Sequence, residues 1–91
     1  MTAVRIPPVL RRQAGDNKQI EAAGGTVGAL LTDLVTRYPE LREQVLTPEG
    51  SLHRFVNVYL NGQDVRYLEL LDTRVAERDT VIILPAMAGG A

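Results

Sequence analysis

Several residue types that carry chemistry are missing or nearly missing from this chain of 91 residues, which has no cysteine, one histidine and one serine. The lack of cysteine excludes a thiol nucleophile, a disulfide framework and a thiolate metal site. It also fits a reducing compartment. Ser51 and His53 lie two positions apart, and we interpret them as polar residues at a strand entry rather than a nucleophile and its base. A free-standing enzyme is therefore the least favoured class of function.

An excess of charge of one sign and long apolar runs are also missing. Ten Lys and Arg residues face 11 Asp and Glu residues, giving a net charge of -1, and both signs are mixed along the chain. A nucleic-acid-binding domain would show a clustered basic face, and a membrane-spanning helix needs about 20 apolar residues. The N-terminal segment carries Arg5 and lacks the apolar stretch of a signal peptide. We expect a cytoplasmic protein without nucleic-acid or membrane partners.

The remaining composition is that of an ordinary folded domain. Hydrophobic residues make up 45% and charged residues 23% of the chain, a typical globular balance. A chain of this length suits one domain that buries its core without disulfides or metals. Its last residues are a proline, small residues and two glycines, and glycine can adopt almost any backbone conformation. We predict a folded domain over residues 1–84 and a flexible C-terminal tail over residues 85–91.

The clearest periodic pattern predicts a helix over residues 27–38. Its apolar residues share one helical face, and they are Val27, Leu30, Leu31, Leu34, Val35 and Tyr38. Thr26 is expected to cap the start of this helix. Pro39 is expected to end it, because a residue that precedes proline is displaced from the helical region. Residues 40–46 are expected to add a short helical turn.

Five segments have the apolar alternation or the β-branched and aromatic content of strands. They cover residues 3–6, 18–22, 55–60, 64–66 and 80–84. Turn residues at 15–17 and at Asn61-Gly62 separate the paired strands, and Pro7-Pro8 ends the first strand. The order of elements predicts an α+β protein with the β-grasp (ubiquitin-like) fold: a mixed sheet of about five strands crossed by one main helix. In this fold the last strand pairs with the first, in the middle of the sheet.

The last strand is apolar at successive positions, which predicts that both of its faces are covered or that one face binds a partner. If Val81 and Ile83 face the helix, their neighbours point to the opposite side of the sheet. An exposed apolar patch of this kind usually marks an interaction site; the alternative is that a loop covers it. The predicted partner-binding patch consists of Phe55, Tyr59, Ile82 and Leu84.

The element order together with the terminal Gly89-Gly90 resembles the ubiquitin-like bacterial sulfur carriers of the ThiS/MoaD family. The segments that carry the resemblance are residues 52–61, 64–66 and 83–90, with weaker likeness in residues 6–11 and 26–34. The resemblance is strongest to members of the family that serve cysteine formation.

This resemblance implies a chemistry for the tail. An activating enzyme, an adenylyltransferase and sulfurtransferase, would bind the patch and thread the tail residues Met87, Ala88, Gly89 and Gly90 toward ATP-Mg. The Gly90 carboxylate would be adenylated and then converted into a thiocarboxylate. A sulfur-accepting synthase would consume it, and in cysteine formation a metalloprotease would release the product. The resemblance implies a carrier that is a co-substrate, without catalytic residues, metal site or bound cofactor.

One residue departs from the family pattern. Ala91 follows Gly90, so the Gly90 carbonyl is part of an amide and has no carboxylate to adenylate. Some family members carry extra residues after the two glycines and are trimmed by a peptidase, which favours removal of Ala91 before charging. The alternatives are a remnant of expression and a member of the family that never carries sulfur.

Two other functions fit the same sequence. A β-grasp interaction module would use the patch to dock a partner without tail chemistry. A ubiquitin-like protein modifier would be conjugated to lysines through Gly90.

Overall fold

Two hairpins and one main helix account for most of the structure in residues 1–85, the part of the chain that the computed structural model describes. The elements in chain order are β1 (Thr2–Arg5), β2 (Gln19–Ala22), α1 (Val27–Arg37), α2 (Arg42–Val45), β3 (Val56–Leu60), β4 (Gln63–Asp64) and β5 (Thr80–Pro85). Short 3₁₀ helices cover Pro8–Ala14, Pro39–Leu41, Val65–Tyr67 and Leu70–Asp72.

The five strands form one mixed sheet in the order β2-β1-β5-β3-β4. Strand β5 lies in the centre, where it pairs parallel with β1 and antiparallel with β3. The hairpins β1–β2 and β3–β4 are antiparallel and flank it. The predicted α+β class, the β-grasp fold and the central position of the last strand are confirmed.

Helix α1 begins at Val27, as the sequence predicts, and ends at Arg37, one residue before the predicted end. The Thr26 hydroxyl accepts a hydrogen bond from the backbone N–H of Ala29 at 3.1 Å, which satisfies one free donor of the first turn. Tyr38 follows the last helical residue, and Pro39 begins the next 3₁₀ helix. The apolar face of α1 packs against the inward side chains of the strands, forming a single core. Its fully buried members include Leu30, Leu31, Leu34, Val4, Val58, Val81 and Ile83.

Strand β4 is shorter than predicted. The sequence predicted a strand over residues 64–66, whereas β4 ends at Asp64 and Val65–Tyr67 turns into a 3₁₀ helix. The Asp64 carboxylate accepts the backbone N–H of Arg66 at 2.9 Å, and this cap bends the chain so that Val65 is fully buried. A local side-chain hydrogen bond thus replaces the strand pairing that these residues would otherwise make.

The other strands also differ from the prediction by one residue at one or both ends, and β2 begins at Gln19 rather than at residue 18. Strand β1 covers Thr2–Arg5 rather than residues 3–6, and β3 begins at Val56, so that Phe55 precedes the strand. Strand β5 includes Pro85, which pairs with Val56, one residue beyond the predicted end of the folded domain. Proline lacks a backbone N–H donor, and it is tolerated here because it is the last residue of the strand.

Replacing Gly24 by alanine is expected to destabilise the fold by about 2–4 kcal/mol, because backbone strain and a steric clash would add together. Gly24 has φ +154°, and a Cβ atom there would lie 2.6 Å from the Ala29 Cβ and 2.9 Å from the backbone N of Leu30. For a domain of this size the melting temperature should fall by roughly 10 °C or more. Thermal unfolding followed by circular dichroism measures the change.

The neighbouring glycine provides a matched control. A Cβ atom at Gly25 would meet nothing within 4 Å. Gly25→Ala should therefore change the free energy of unfolding by no more than about 0.5 kcal/mol. Equal effects of the two substitutions would show that the close approach of Gly24 to helix α1 is not what requires glycine.

Candidate functional site

The face of the sheet opposite helix α1, here called the outer face, carries three of the predicted patch residues, Tyr59, Ile82 and Leu84. Phe55 lies just before β3 and lines a separate cleft together with Val9, Glu43 and Pro85. Cross-strand pairing places Arg5, Ile82, Tyr59 and Asp64 in one row across β1, β5, β3 and β4. Because side chains alternate along each strand, all four project to the side that does not carry the helix. This row of the outer face therefore has a charged residue at each end, Arg5 and Asp64, and the larger, less polar Ile82 and Tyr59 between them.

Exposure separates the two faces of β5. Val81 and Ile83 are 0% exposed and belong to the core, whereas Leu84 is 41% exposed and Ile82 is half-buried. Phe55 is 45% exposed just before β3. The predicted division of faces is therefore what the structure shows. The partner-binding role of Phe55, Tyr59, Ile82 and Leu84 stays a prediction.

Two neighbours hold Phe55 at the surface. The Arg54 guanidinium carbon lies 4.9 Å from the centre of the Phe55 ring, and the His53 ring centre lies 5.4 Å from it. The backbone N–H of Phe55 donates to His53 Nδ1 at 3.1 Å. The backbone N–H of Ser51 donates to Thr47 Oγ1, and the hydrogen bonds of the described residues include none between Ser51 and His53. The His53 side chain thus binds the backbone of Phe55, and the interpretation of Ser51 and His53 as polar residues at a strand entry stays a prediction.

Arg66 joins the loop before β3 to the outer face, a role that the sequence did not predict. Its guanidinium donates to Asn57 Oδ1 at 2.8 Å and to the His53 carbonyl oxygen at 3.2 Å. Asn57 pairs with Leu84 across the strands, so the guanidinium lies beside the apolar patch. The sequence marks Arg66 only as a member of the predicted strand and of the resemblance segment over residues 64–66, since its partners are nine and 13 positions away.

A cleft at the end of the outer face also escaped the sequence analysis. It has a volume of about 270 Å³, and it is lined by three cationic side chains, Arg5, Arg11 and Lys18, and by the apolar Ile82 and Leu84. The Nε atom of Arg11 donates to the Ile6 carbonyl oxygen at 3.0 Å, which fixes the guanidinium at the wall. The sequence does not indicate this cluster, because its three cations come from separate segments and the net charge of the chain is close to zero.

The Asp79 carboxyl has a pKa below its ordinary value. Hydrogen bonds from the Asn61 side chain and from the backbone N–H of Ala76 stabilise the Asp79 carboxylate and lower its pKa. The Asn61 side chain also accepts the N–H of Thr80 at 3.0 Å. This network ties the β3–β4 turn to the first residue of β5 and is structural.

The predicted tail lies almost entirely beyond the described residues. The chemistry predicted for the tail stays a prediction, because the residues concerned lie outside residues 1–85: Met87, Ala88, Gly89, Gly90 and Ala91. The structure shows that β5 extends to Pro85, next to the exposed Leu84. Within residues 1–85, no cluster of His, Asp and Glu could hold a metal ion, and no helix is long and apolar enough to cross a membrane.

Comparisons with known proteins agree with this arrangement. Residues 4–90 match the model of the ThiS family. The chain is 46% identical over 89 residues to the sulfur carrier protein CysO of Mycobacterium tuberculosis, covering 96% of each chain. In the crystal structure of the Amycolatopsis orientalis BexX/CysO complex, a chain with 41% identity matches with a TM-score of 0.89, covering 99% of this chain and 100% of that one. The solution structure of small archaeal modifier protein 1 from Methanosarcina acetivorans matches with a TM-score of 0.85 at 30% identity, covering 98% of this chain and 95% of that one.

Proposed function

The chain belongs to the ThiS family and is a sulfur carrier protein, and on this premise we propose that Gly90 carries the sulfur once Ala91 has been removed. The family match extends to residue 90. Removal of Ala91 exposes the carboxylate that the chemistry requires, because an amide carbonyl at Gly90 offers no oxygen nucleophile for adenylation.

The proposed charging has two steps, and both take place on a partner enzyme. A Gly90 carboxylate oxygen attacks the α-phosphorus of ATP-Mg, forming the acyl-adenylate and releasing pyrophosphate. A sulfide nucleophile then attacks the carbonyl carbon of this mixed anhydride, and the bond to AMP breaks. The products are AMP and a Gly90 thiocarboxylate, and Mg²⁺ serves by neutralising phosphate charge.

The observation that best supports this proposal is the position of the outer face relative to the start of the tail. Leu84 is exposed, and Pro85 ends β5 beside it. A partner that covers the patch would therefore hold the attachment point of the tail at its own surface. Residues 86–90 span at most about 18 Å when extended, which is enough to enter a deep active site.

The proposed partners follow from the products. An activating adenylyltransferase and sulfurtransferase would charge the carrier, and a synthase would take the sulfur. If the product is cysteine attached to the carrier, a metalloprotease would release it. The Amycolatopsis orientalis relative is seen in a complex with BexX, which supports binding of a larger protein by this fold. We propose that the carrier itself contributes no catalytic group and that it acts in the cytoplasm.

A protein modifier is the second candidate, because the Methanosarcina acetivorans structure of the same fold is a small archaeal modifier protein. This function would need the same adenylation of Gly90. It differs in the product, which would be an isopeptide bond to a lysine rather than a thiocarboxylate.

Charging of two purified chains tests the proposal. A chain that ends at Gly90 and a chain that retains Ala91 are incubated with the activating enzyme from the same cells, ATP-Mg and sulfide. Only the shorter chain should release pyrophosphate and exchange one oxygen for sulfur. Equal charging of both chains, or charging of neither with an enzyme that charges its own known carrier, would contradict the proposal.

Mass alone does not identify the thiocarboxylate, because oxidation of Met1 or Met87 to the sulfoxide changes the mass by almost the same amount as exchange of oxygen for sulfur. Alkylation by a thiol reagent separates the two, since a thiocarboxylate sulfur is nucleophilic and a sulfoxide is not. The chain has no cysteine, so an alkylated product reports the thiocarboxylate alone.

A further inference from the structure

We propose that the cleft lined by Arg5, Arg11 and Lys18, called the cationic cleft below, receives an acidic segment of the activating enzyme. This inference rests on the proposed function, because it concerns the same partner. The apolar patch would supply the contact area, and the cationic cleft would select the partner's charge and orient it.

The position of the cleft joins it to the apolar patch. Arg5 on β1 is the cross-strand partner of Ile82 on β5, and Ile82 and Leu84 line the cleft together with the cations. Pro7 and Pro8 also line it. A partner surface that covers Leu84 must therefore lie against the cationic side chains as well.

The three cations have no acidic partner within the described residues. The ion pairs in this part of the chain join the N-terminal amino group to Glu77 and Arg37 to Asp33, both away from the cleft. Arg11 uses its Nε donor on the Ile6 carbonyl oxygen. A guanidinium has five N–H donors, so its outer nitrogens stay available to a carboxylate.

The acidic groups of the outer face form no ion pair with the cations of the cleft in residues 1–85. Asp64 lies on the far side of Tyr59 and accepts the N–H of Arg66. Glu21 on β2 accepts a hydrogen bond from Gln19 at 3.4 Å, at the end of the sheet away from Pro85. Cations are thus concentrated near the start of the tail, although the chain as a whole has a net charge of -1.

Local charge of this kind acts mainly on association and orientation. Complementary charges at an interface raise the association rate and disfavour wrong partners. Their effect falls with salt, because the Debye length is about 10 Å at 0.1 M ionic strength. An acidic segment in the partner would draw the carrier in with its tail end first.

Binding of the activating enzyme to two double charge reversals tests the cleft. Arg5→Glu/Lys18→Glu reverses two cations of the cleft, both exposed and without side-chain hydrogen bonds in the described residues. Arg42→Glu/Arg74→Glu causes the same change in net charge on the helical side, where Arg42 begins α2 and Arg74 forms a β-bridge with Thr26. The chains end at Gly90, and association is measured without ATP at several salt concentrations.

The cleft variant should associate at least about tenfold more slowly at low salt, with a flatter dependence on salt. The control variant should stay within about threefold of the wild type. Arg5→Gln/Lys18→Gln should show a smaller effect in the same direction, and melting temperatures identify any variant that misfolds. Equal losses in both double reversals, or no loss in either, would overturn the proposal.

Charging kinetics separate this inference from the proposed function. The cleft variant should raise the KM for the carrier and leave kcat unchanged, since the tail is intact. A lower kcat at unchanged KM would overturn the cleft as a docking site. A wild-type chain that binds through the cleft without being adenylated would support the cleft and reject the proposed function.

Discussion

Replacing Gly90 by leucine in a chain that ends at residue 90 is expected to lower the rate of adenylation at least about 100-fold, the cost of displacing a reacting group by roughly 1 Å. In the proposed reaction the carboxylate approaches the α-phosphate in line, and the channel that receives the tail is expected to be narrow. A branched side chain on the reacting residue would occupy the channel, and it would exclude the backbone conformations that only glycine adopts freely. Pyrophosphate release with the activating enzyme and ATP-Mg measures the loss.

Met87→Leu in the same chain provides the control. This substitution nearly conserves side-chain volume and lies three residues before Gly90, so the rate should stay within about threefold. Both variants should unfold at the wild-type temperature, because every residue of the core described in residues 1–85 is unchanged in both. Normal adenylation of the leucine variant at position 90 would show that the tail does not enter a narrow channel.

A charge at Leu84 is expected to weaken binding of the activating enzyme by about 30-fold or more, the usual effect of losing a central apolar contact. Leu84 is 41% exposed, so Leu84→Asp should cost less than about 1 kcal/mol of stability. The same charge at Ile83, one position earlier and fully buried, should unfold the protein because an unpaired carboxylate would enter the core. Ile82→Asp should resemble Leu84→Asp in binding, with a larger loss of stability because Ile82 is half-buried.

Titration of the enzyme with each folded variant measures binding, and chemical denaturation measures stability. A milder substitution, Leu84→Ser, keeps the test informative if the aspartate variant folds poorly. Wild-type affinity of both Leu84 variants would place the docking surface elsewhere on the molecule.

The elements with strong periodic patterns could be predicted from the sequence. Helix α1 has its apolar residues on one face, a capping threonine and a terminating proline, and each signal acts within a few residues. Strands β3 and β5 are rich in β-branched side chains, and the central position of β5 followed from the β-grasp order of the elements. These signals are local, so a single sequence contains them.

The segments that were missed depend on contacts between distant residues. Polar and apolar residues do not alternate regularly in Pro8–Ala14, and its 3₁₀ helix packs on the core through Leu10 and Ala14. Strand β4 ends early because the Asp64 side chain caps the next turn. The cationic cleft joins residues 5, 11 and 18 to β5, so it could not be found without the parallel pairing of β1 with β5.

That pairing has a consequence for folding. Ala3 pairs with Thr80, so almost the whole chain must be gathered into a closed loop before the centre of the sheet exists, and high contact order of this kind slows folding. Neither hairpin alone contains the surface made jointly by Arg5 and Ile82. A partner that recognises this surface therefore recognises completed molecules and passes over partly folded ones. Recognition and quality control would then be the same event.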